Sequence, residues 1–249
     1  MKSVILKQEQ EGILHELSRS RDVINQFITS CSHSMRGPMK SIKGLVDLLN
    51  LVSTDEERAV VLGLIEKSTV QMETMLDELE QFMINSERSV EARRINFKAV
   101  VNKVAFRYGE LIRKNAIRLT TEIEQSVPFY SDAGRIRLIL EHLLANAIQF
   151  QKQDVADRQI HVHIMASPEE AVVEVDDNGM GIEPGALQDI FKLFYRATER
   201  SAGAGLGLYV VQQTLEKING TAAVEIRRTW PGNAAHNQDS NAHSLHPDR

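Results

Sequence analysis

Through the first ninety residues, apolar positions recur at alternating steps of three and four, with no period-two alternation and few turn residues, which predicts two long helices. In the first, Leu14, Leu17, Ile24, Ile28, Cys31 and Met35 trace one seam, with Arg21 the single misfit. In the second, Val61, Ile65, Ser68, Met72, Met75, Leu79 and Phe82 keep the spacing. Val52 to Glu57 holds the reversal between them, and Thr54 and Glu57 stand at capping-box spacing. A two-helix hairpin covers each seam on one side only. A second copy covers the rest, so the pattern predicts a homodimer built around a four-helix bundle.

With Ile28 at heptad position a and Cys31 at d, His33 falls at f and faces away from the seam. Pro38 deprives the Ser34 carbonyl of its helical partner and, with Gly37 before it, predicts a kink beside that histidine.

From about Arg93 the pattern becomes mixed. Ile95 to Phe97 reads as a short strand, Lys98 to Lys114 as a helix and Ile117 to Ile123 as a half-buried strand. Asp132 is placed to cap a helix through Ile136, Leu140, Leu143, Leu144, Ala147 and Ile148. Ile160, Val162 and Ile164 alternate with His161, His163 and Met165, and the turn Ser167-Pro168-Glu169-Glu170 leads into Ala171 to Asp177, which predicts a β-hairpin. Leu208 to Ile218 reads as an apolar helix and Thr221 to Ile226 as a strand.

Composition narrows the class. With 249 residues, 42% hydrophobic and 25% charged, the chain can bury a core in one large or two modest domains, and two domains plus a tail are expected. A net charge of −5 spread over both signs excludes the basic footprint of a nucleic-acid binder. No long apolar run predicts a membrane span, and Met1 to Glu11 is too polar for a signal peptide, so a cytoplasmic protein is expected. The single cysteine, Cys31, is read as a small core residue in a reducing compartment.

Candidate chemistry concentrates in two places. His33 is an outward histidine beside helix breakers. A hundred residues and more downstream, Asp177-Asn178-Gly179-Met180-Gly181 ends a strand with a carboxylate suited to an exocyclic amine. Gly203, Gly205 and Gly207 then lead into a helix, so free backbone N–H groups and the positive helix end are offered to phosphates. Between them, Ile182 to Ala202 carries Phe191, Phe194, Arg196 and Arg200, the composition of a lid with cationic tips. His161 and His163 share a sheet face at i, i+2. With no third ligand in view, they read as solvent-facing sheet residues rather than a metal site.

These segments resemble, in family order over about residues 25 to 225, the five boxes of the sensor histidine kinases of two-component signalling. Ser32 to Met39 is similar to their H box and Leu143 to Phe150 to their N box. Asp177 to Gly181 is similar to the first glycine box, Ile190 to Arg196 to the F box and Gly203 to Leu208 to the second glycine box. The resemblance implies an antiparallel helical hairpin forming a dimeric four-helix bundle, followed by an α/β sandwich ATP-binding domain of the GHKL (Bergerat) type. It implies residues 1–24 as a coiled-coil lead helix, 25–90 as the dimerisation and phosphotransfer hairpin and 93–228 as the catalytic domain. It also implies ATP and Mg2+, with His33 accepting the γ-phosphoryl group beside Ser34 and Arg36, and Asn146 as magnesium ligand. Gln149, Phe150, Asp177, Gly179, Gly181, Phe191, Phe194, Arg196, Gly203, Gly205, Leu206 and Gly207 would surround the nucleotide, Asp177 on adenine. The implied partners are a second copy of the chain and a response-regulator receiver domain, with the signal entering through the lead helix or a separate sensor protein.

The chain departs from the family at several positions. Ser34 stands where these proteins usually carry a carboxylate, Gly37 where many carry Thr or Asn, His142 replaces the first Asn of the N box and Gln149 the usual Lys. Gly37 predicts weak response-regulator phosphatase activity. After Ile226 the chain turns polar, which predicts a disordered tail over 229–249, including His236, His243 and His246, and a sheet short of its last strand. Two function classes therefore stand side by side. One is an active dimeric histidine kinase, and the other is a catalytically weak or inactive nucleotide-binding dimer that regulates a partner kinase. A gyrase-class ATPase is disfavoured, because no Glu other than Glu141 is available as a water-activating base.

Overall fold

The computed structural model describes residues 28–29, 31–152, 154–195, 205–227 and 240–247, the last segment by its backbone. The predicted lead helix over 1–24 lies outside them. The chain divides into two compact units, Met1–Asp77 and Glu78–Arg249.

In the first unit, helix α1 runs without interruption over 31–49, and α2 (Asp55–Glu87) starts there and ends in the second unit. The capping box forms as read: the Glu57 amide donates to Thr54 Oγ1 at 3.2 Å, and Glu57 Oε2 accepts from the Thr54 and Ser53 amides at 3.4 and 3.3 Å. Pro38 lies inside α1 and is buried. Val61, Ser68 and Met75 of the second seam are buried, while Met39, Val46, Leu62, Leu64, Val70 and Leu76 remain exposed on the unit's surface.

In the second unit, β1 (Arg93–Ile95) and β3 (Phe129–Ser131) form a two-stranded sheet. The first strand ends at Ile95, not Phe97. Asn96 caps the next helix by accepting from the Ala99 amide at 3.0 Å, so Phe97 opens α3 (Phe97–Lys114) and is fully buried. The main sheet has the order β2-β4-β5-β7-β6, formed by β2 (Ile117–Gln125), β4 (Arg158–Ala166), β5 (Ala171–Asp177), β6 (Gly220–Arg227) and β7 (Ser240–Pro247). The β2–β4 pair is parallel and the other pairs are antiparallel. Helices α4 (Ala133–Gln149) and α5 (Gly207–Lys217) complete the layer that packs with α3 on the sheet. The core joins Ile160, Val162, Ile164, Val173 and Val175 of the strands to Val101, Val104, Ile136, Leu140, Leu143, Leu144, Val211 and Leu215 of the helices. Asp132 caps α4 as expected, accepting from the Gly134 and Arg135 amides at 2.9 and 3.1 Å.

Where a disordered tail and a missing last strand were expected, residues 240–247 form β7; 228–239 and 248–249 lie outside the described residues. Ser244 pairs with Glu174 on one side and Ala223 on the other, so the segment is a central strand and β6 becomes the sheet edge. The sequence SNAHSLHP lacks apolar alternation because hydrogen-bond ladders on both sides, not a hydrophobic stripe, define this strand. Among the described residues no helix is long and apolar enough to cross a membrane.

Candidate functional site

His33 sits on α1 with its side chain exposed, next to half-buried Ser34 and exposed Arg36. It belongs to the first unit. All the residues expected around a nucleotide belong to the second.

In the second unit α4 organises the site. Asn146 and Phe150 lie four residues apart, one helical turn, with the Phe150 amide bonded to the Asn146 carbonyl at 3.0 Å. At the Phe150 end, the Phe150 carbonyl accepts from the Met180 amide at 2.9 Å, and a β-carbon on Gly179 would overlap that same carbonyl oxygen. At the Asn146 end, a β-carbon on Gly207 would stand 3.4 Å from His142 Nδ1 and 4.0 Å from Asn146 Oδ1. One helix therefore touches both glycine boxes. Gly205, with φ +77°, lies so close to the Tyr195 carbonyl that a β-carbon would come within 2.6 Å. Its left-handed backbone and this contact both demand glycine. Gly181 also has positive φ, +75°.

Asp177 closes β5 and is 3% exposed. Its Oδ1 accepts from the Gly179 amide at 2.8 Å. Burial pushes its carboxyl up to about 7, and the Gly179 N–H and the Lys152 charge only partly oppose this, while Asp176 beside it adds to the rise. A buried acceptor at the end of a strand fits the role of receiving a hydrogen bond from an amino group. Asn178 holds the turn: its Oδ1 accepts from the Gln159 amide at 2.8 Å and its Nδ2 donates to the Asp157 carbonyl at 2.7 Å. The sequence reading missed this clamp, although an Asn-Gly turn signals side-chain-to-backbone bonding.

His142 is half-buried beside Gly207, with its Nε2 screened from solvent and lacking a hydrogen-bond partner, and desolvation pushes its imidazole down to about 4, which keeps it neutral. Phe191 and Phe194 are half-buried, and Gln149 is exposed on the last turn of α4. Leu206 is fully buried, so its side chain belongs to the core and only its backbone can face a ligand. Arg196, Arg200 and Gly203 lie outside the described residues. For magnesium, the fit rests on Asn146: one neutral oxygen beside the glycine-led start of α5 suits an ion that takes few protein ligands and keeps phosphates and water for the rest.

Comparison with known proteins agrees with this layout. Residues 23–86 match the His Kinase A (phospho-acceptor) domain, and residues 131–241 match the family described as histidine kinase-, DNA gyrase B- and HSP90-like ATPase. The autoinducer 2 sensor kinase/phosphatase LuxQ of Vibrio vulnificus is 24% identical over 222 residues, which cover 84% of this chain and 26% of LuxQ. The chain thus spans about a quarter of that relative's length. Among solved structures, the Acinetobacter baumannii histidine kinase AdeS shares the fold at a TM-score of 0.63 and 19% identity, covering 87% of this chain and 98% of that one. Histidine kinase ThkA, solved in complex with the response regulator protein TrrA, aligns at a TM-score of 0.68 and 19% identity over 92% of this chain and 64% of that one.

Proposed function

Since this chain belongs to the sensor histidine kinases, we propose that it autophosphorylates His33 from ATP and passes the phosphoryl group to an aspartate of a response-regulator receiver domain. The observation that carries the reading is α4, whose Asn146 meets the second glycine box and whose Phe150 meets the first.

In the proposed reaction a lone pair on the His33 ring attacks the γ-phosphorus of ATP in line. The bond to the bridging oxygen of ADP breaks, the attacking nitrogen carries the phosphoryl group, and the other ring nitrogen gives up its proton to solvent. Asp177 accepts from the adenine amino group, and the glycine-led end of α5 lays backbone N–H groups against phosphate. Magnesium held by Asn146 would neutralise phosphate charge. The rest of the catalysis is positioning.

The partners in this reading are a second copy of the chain, a response regulator and a sensor protein that supplies the signal. The exposed apolar residues Met39, Val46, Leu64 and Val70 of the hairpin support the second copy. In this reading the reaction takes place in the bacterial cytoplasm, where ATP and receiver domains would meet it.

The test is incubation with radiolabelled Mg-ATP beside a His33→Gln variant, followed by acid and base treatment. Acid-labile, base-stable label that vanishes in the variant is expected. Nucleotide binding without such label overturns catalysis and leaves the regulatory dimer that Ser34 and His142 favour.

A further inference from the structure

The sheet face opposite the hydrophobic core carries a cluster that phosphotransfer does not use. Where Ile160, Val162 and Ile164 of β4 point into the core, His161 and His163 point the other way. In the parallel β2–β4 register Glu122 stands opposite His163, and across the β4–β5 pair His163 stands opposite Glu174. Glu124 follows Glu122 on the same face of β2. One oxygen from each of these two glutamates and one ring nitrogen of His163 lie within 4.8 Å of one another.

The local geometry suits a cation better than it suits the bare side chains. His163 Nε2 is 3.5 Å from Glu124 Oε1, and this nitrogen is screened from solvent with no hydrogen-bond partner. That spacing exceeds an N–H···O bond of about 2.7–3.2 Å. It matches the separation of two ligands that sit about 2.0–2.1 Å from a shared tetrahedral ion. On the other side of the ring, Nδ1 lies 3.5 Å from Glu174 Oε2, longer than a hydrogen bond but close enough for a slight turn of the ring to close it. A ligating histidine passes its second N–H to such a carboxylate, which fixes the tautomer and frees Nε2 for the metal. Two glutamates two residues apart on one strand face repel each other, and a shared cation removes that cost. His161 stands beside the trio, its Nδ1 engaged with Thr120 Oγ1 at 2.9 Å.

The geometry points to a binding site for one divalent transition-metal ion of the zinc class, with His163 Nε2, Glu122 and Glu124 as ligands and Glu174 orienting the imidazole. An imidazole with two carboxylates selects this class over magnesium or calcium, which favour all-oxygen sites. Three protein ligands leave a fourth position to water. The site ties edge strand β2 to β4 and shares no residue with the nucleotide site.

The test uses the full chain, stripped of metal and free of nucleotide, titrated with Zn2+ by calorimetry and with Co2+ by visible absorption. One equivalent is expected to bind more tightly than about 1 mM, with tetrahedral cobalt bands and a higher melting temperature. His163→Gln is expected to abolish binding, Glu124→Gln to weaken it strongly and Glu174→Gln to weaken it about 10–100-fold. Glu124 is an exposed side chain, so its variant folds and keeps the test open even if His163→Gln does not. The chain has eight histidines, so two controls are decisive. Binding that survives in His163→Gln and Glu124→Gln overturns the site. So does binding that disappears in Asn146→Ala or in the triple His236→Gln, His243→Gln, His246→Gln variant, and so does the absence of binding.

Discussion

Arg135, near the start of the helix that carries Asn146, donates from Nε to Oδ1 of Asn85, fifty residues earlier, at 3.1 Å. Asn85 in turn donates from Nδ2 to Thr214 Oγ1 on α5 at 2.9 Å, so one asparagine links α4 to α5. The guanidinium also bonds Asp132 Oδ2 at 2.7 Å and reaches the backbone carbonyls of Asn85, Ser89 and Arg88. All four side chains are nearly solvent-free, which makes this a filled polar network rather than a surface ion pair.

Arg135→Ala removes the cation paired with buried Asp132 and a donor to three backbone carbonyls. It is expected to cost about 3–5 kcal/mol, the usual effect of breaking a buried pair from one side. Urea unfolding of the variant checks this, and a loss below about 1 kcal/mol would mean that water replaces the guanidinium without penalty.

Acid should act through the same network. Burial alone would raise the Asp132 carboxyl, but bonds from the Glu91 and Arg135 amides and the Arg135 guanidinium outweigh it and hold it below its ordinary range. A lowered folded-state value contributes stability above the unfolded value near 3.9 and loses it as pH falls through the folded one. Asp132→Asn should therefore flatten the stability curve below about pH 4, measured by denaturant melts across pH.

Asp177 works in the opposite direction. Its folded value of about 7 lies above the unfolded one, so its contribution to stability is fully present below about 3.9 and is lost as pH rises through 7. Asp177→Asn is expected to melt higher than the parent at pH 8 while losing nucleotide affinity. In the parent, affinity should rise as pH passes upward through 7, because the carboxylate is a stronger acceptor than the protonated acid and presents no O–H toward the amino group. Calorimetric ATP titrations at pH 6 and pH 8 read this directly, and equal affinities would detach Asp177 from the adenine.

Gly179→Ala forces a β-carbon onto the Phe150 carbonyl, and Gly205→Ala adds a left-handed backbone to a 2.6 Å clash with the Tyr195 carbonyl. Each is expected to cost roughly 1–3 kcal/mol locally and to weaken nucleotide binding. Gly185→Ala, which meets nothing within 4 Å, is the matched control. Thermal melts with and without ATP separate the two effects.

Ser34 follows His33, the proposed phosphoacceptor, at the position where sensor histidine kinases usually carry a carboxylate. Ser34→Glu is expected to raise the rate of acid-labile labelling on the order of a hundredfold, followed over a time course with radiolabelled ATP. An unchanged rate would assign the proton step to another group.

Much of the architecture was legible from local pattern. The second seam, the Thr54–Glu57 box, the Asp132 cap, the Ser167 turn and the glycine-led helix appear where spacing placed them, because each depends on residues within about one turn of the chain. The first strand shifted because Asn96 bonds Ala99 and recruits Phe97 into the helix, a cap that competes directly with strand propensity.

The sequence by itself determined the two helices of the hairpin, the order of the boxes and the residue types able to meet a nucleotide, since periodicity, caps and glycine freedom are local properties. The tertiary structure decided the rest. Only non-local pairing seats the polar segment Ser240–Pro247 between β5 and β6, and only strand register brings Glu122 opposite His163 and Glu174 opposite the same ring. Likewise, the identity of Asp177 was plain from the chain, but the rise of its carboxyl comes from desolvation by groups distant in sequence, which becomes defined only when the core closes around it.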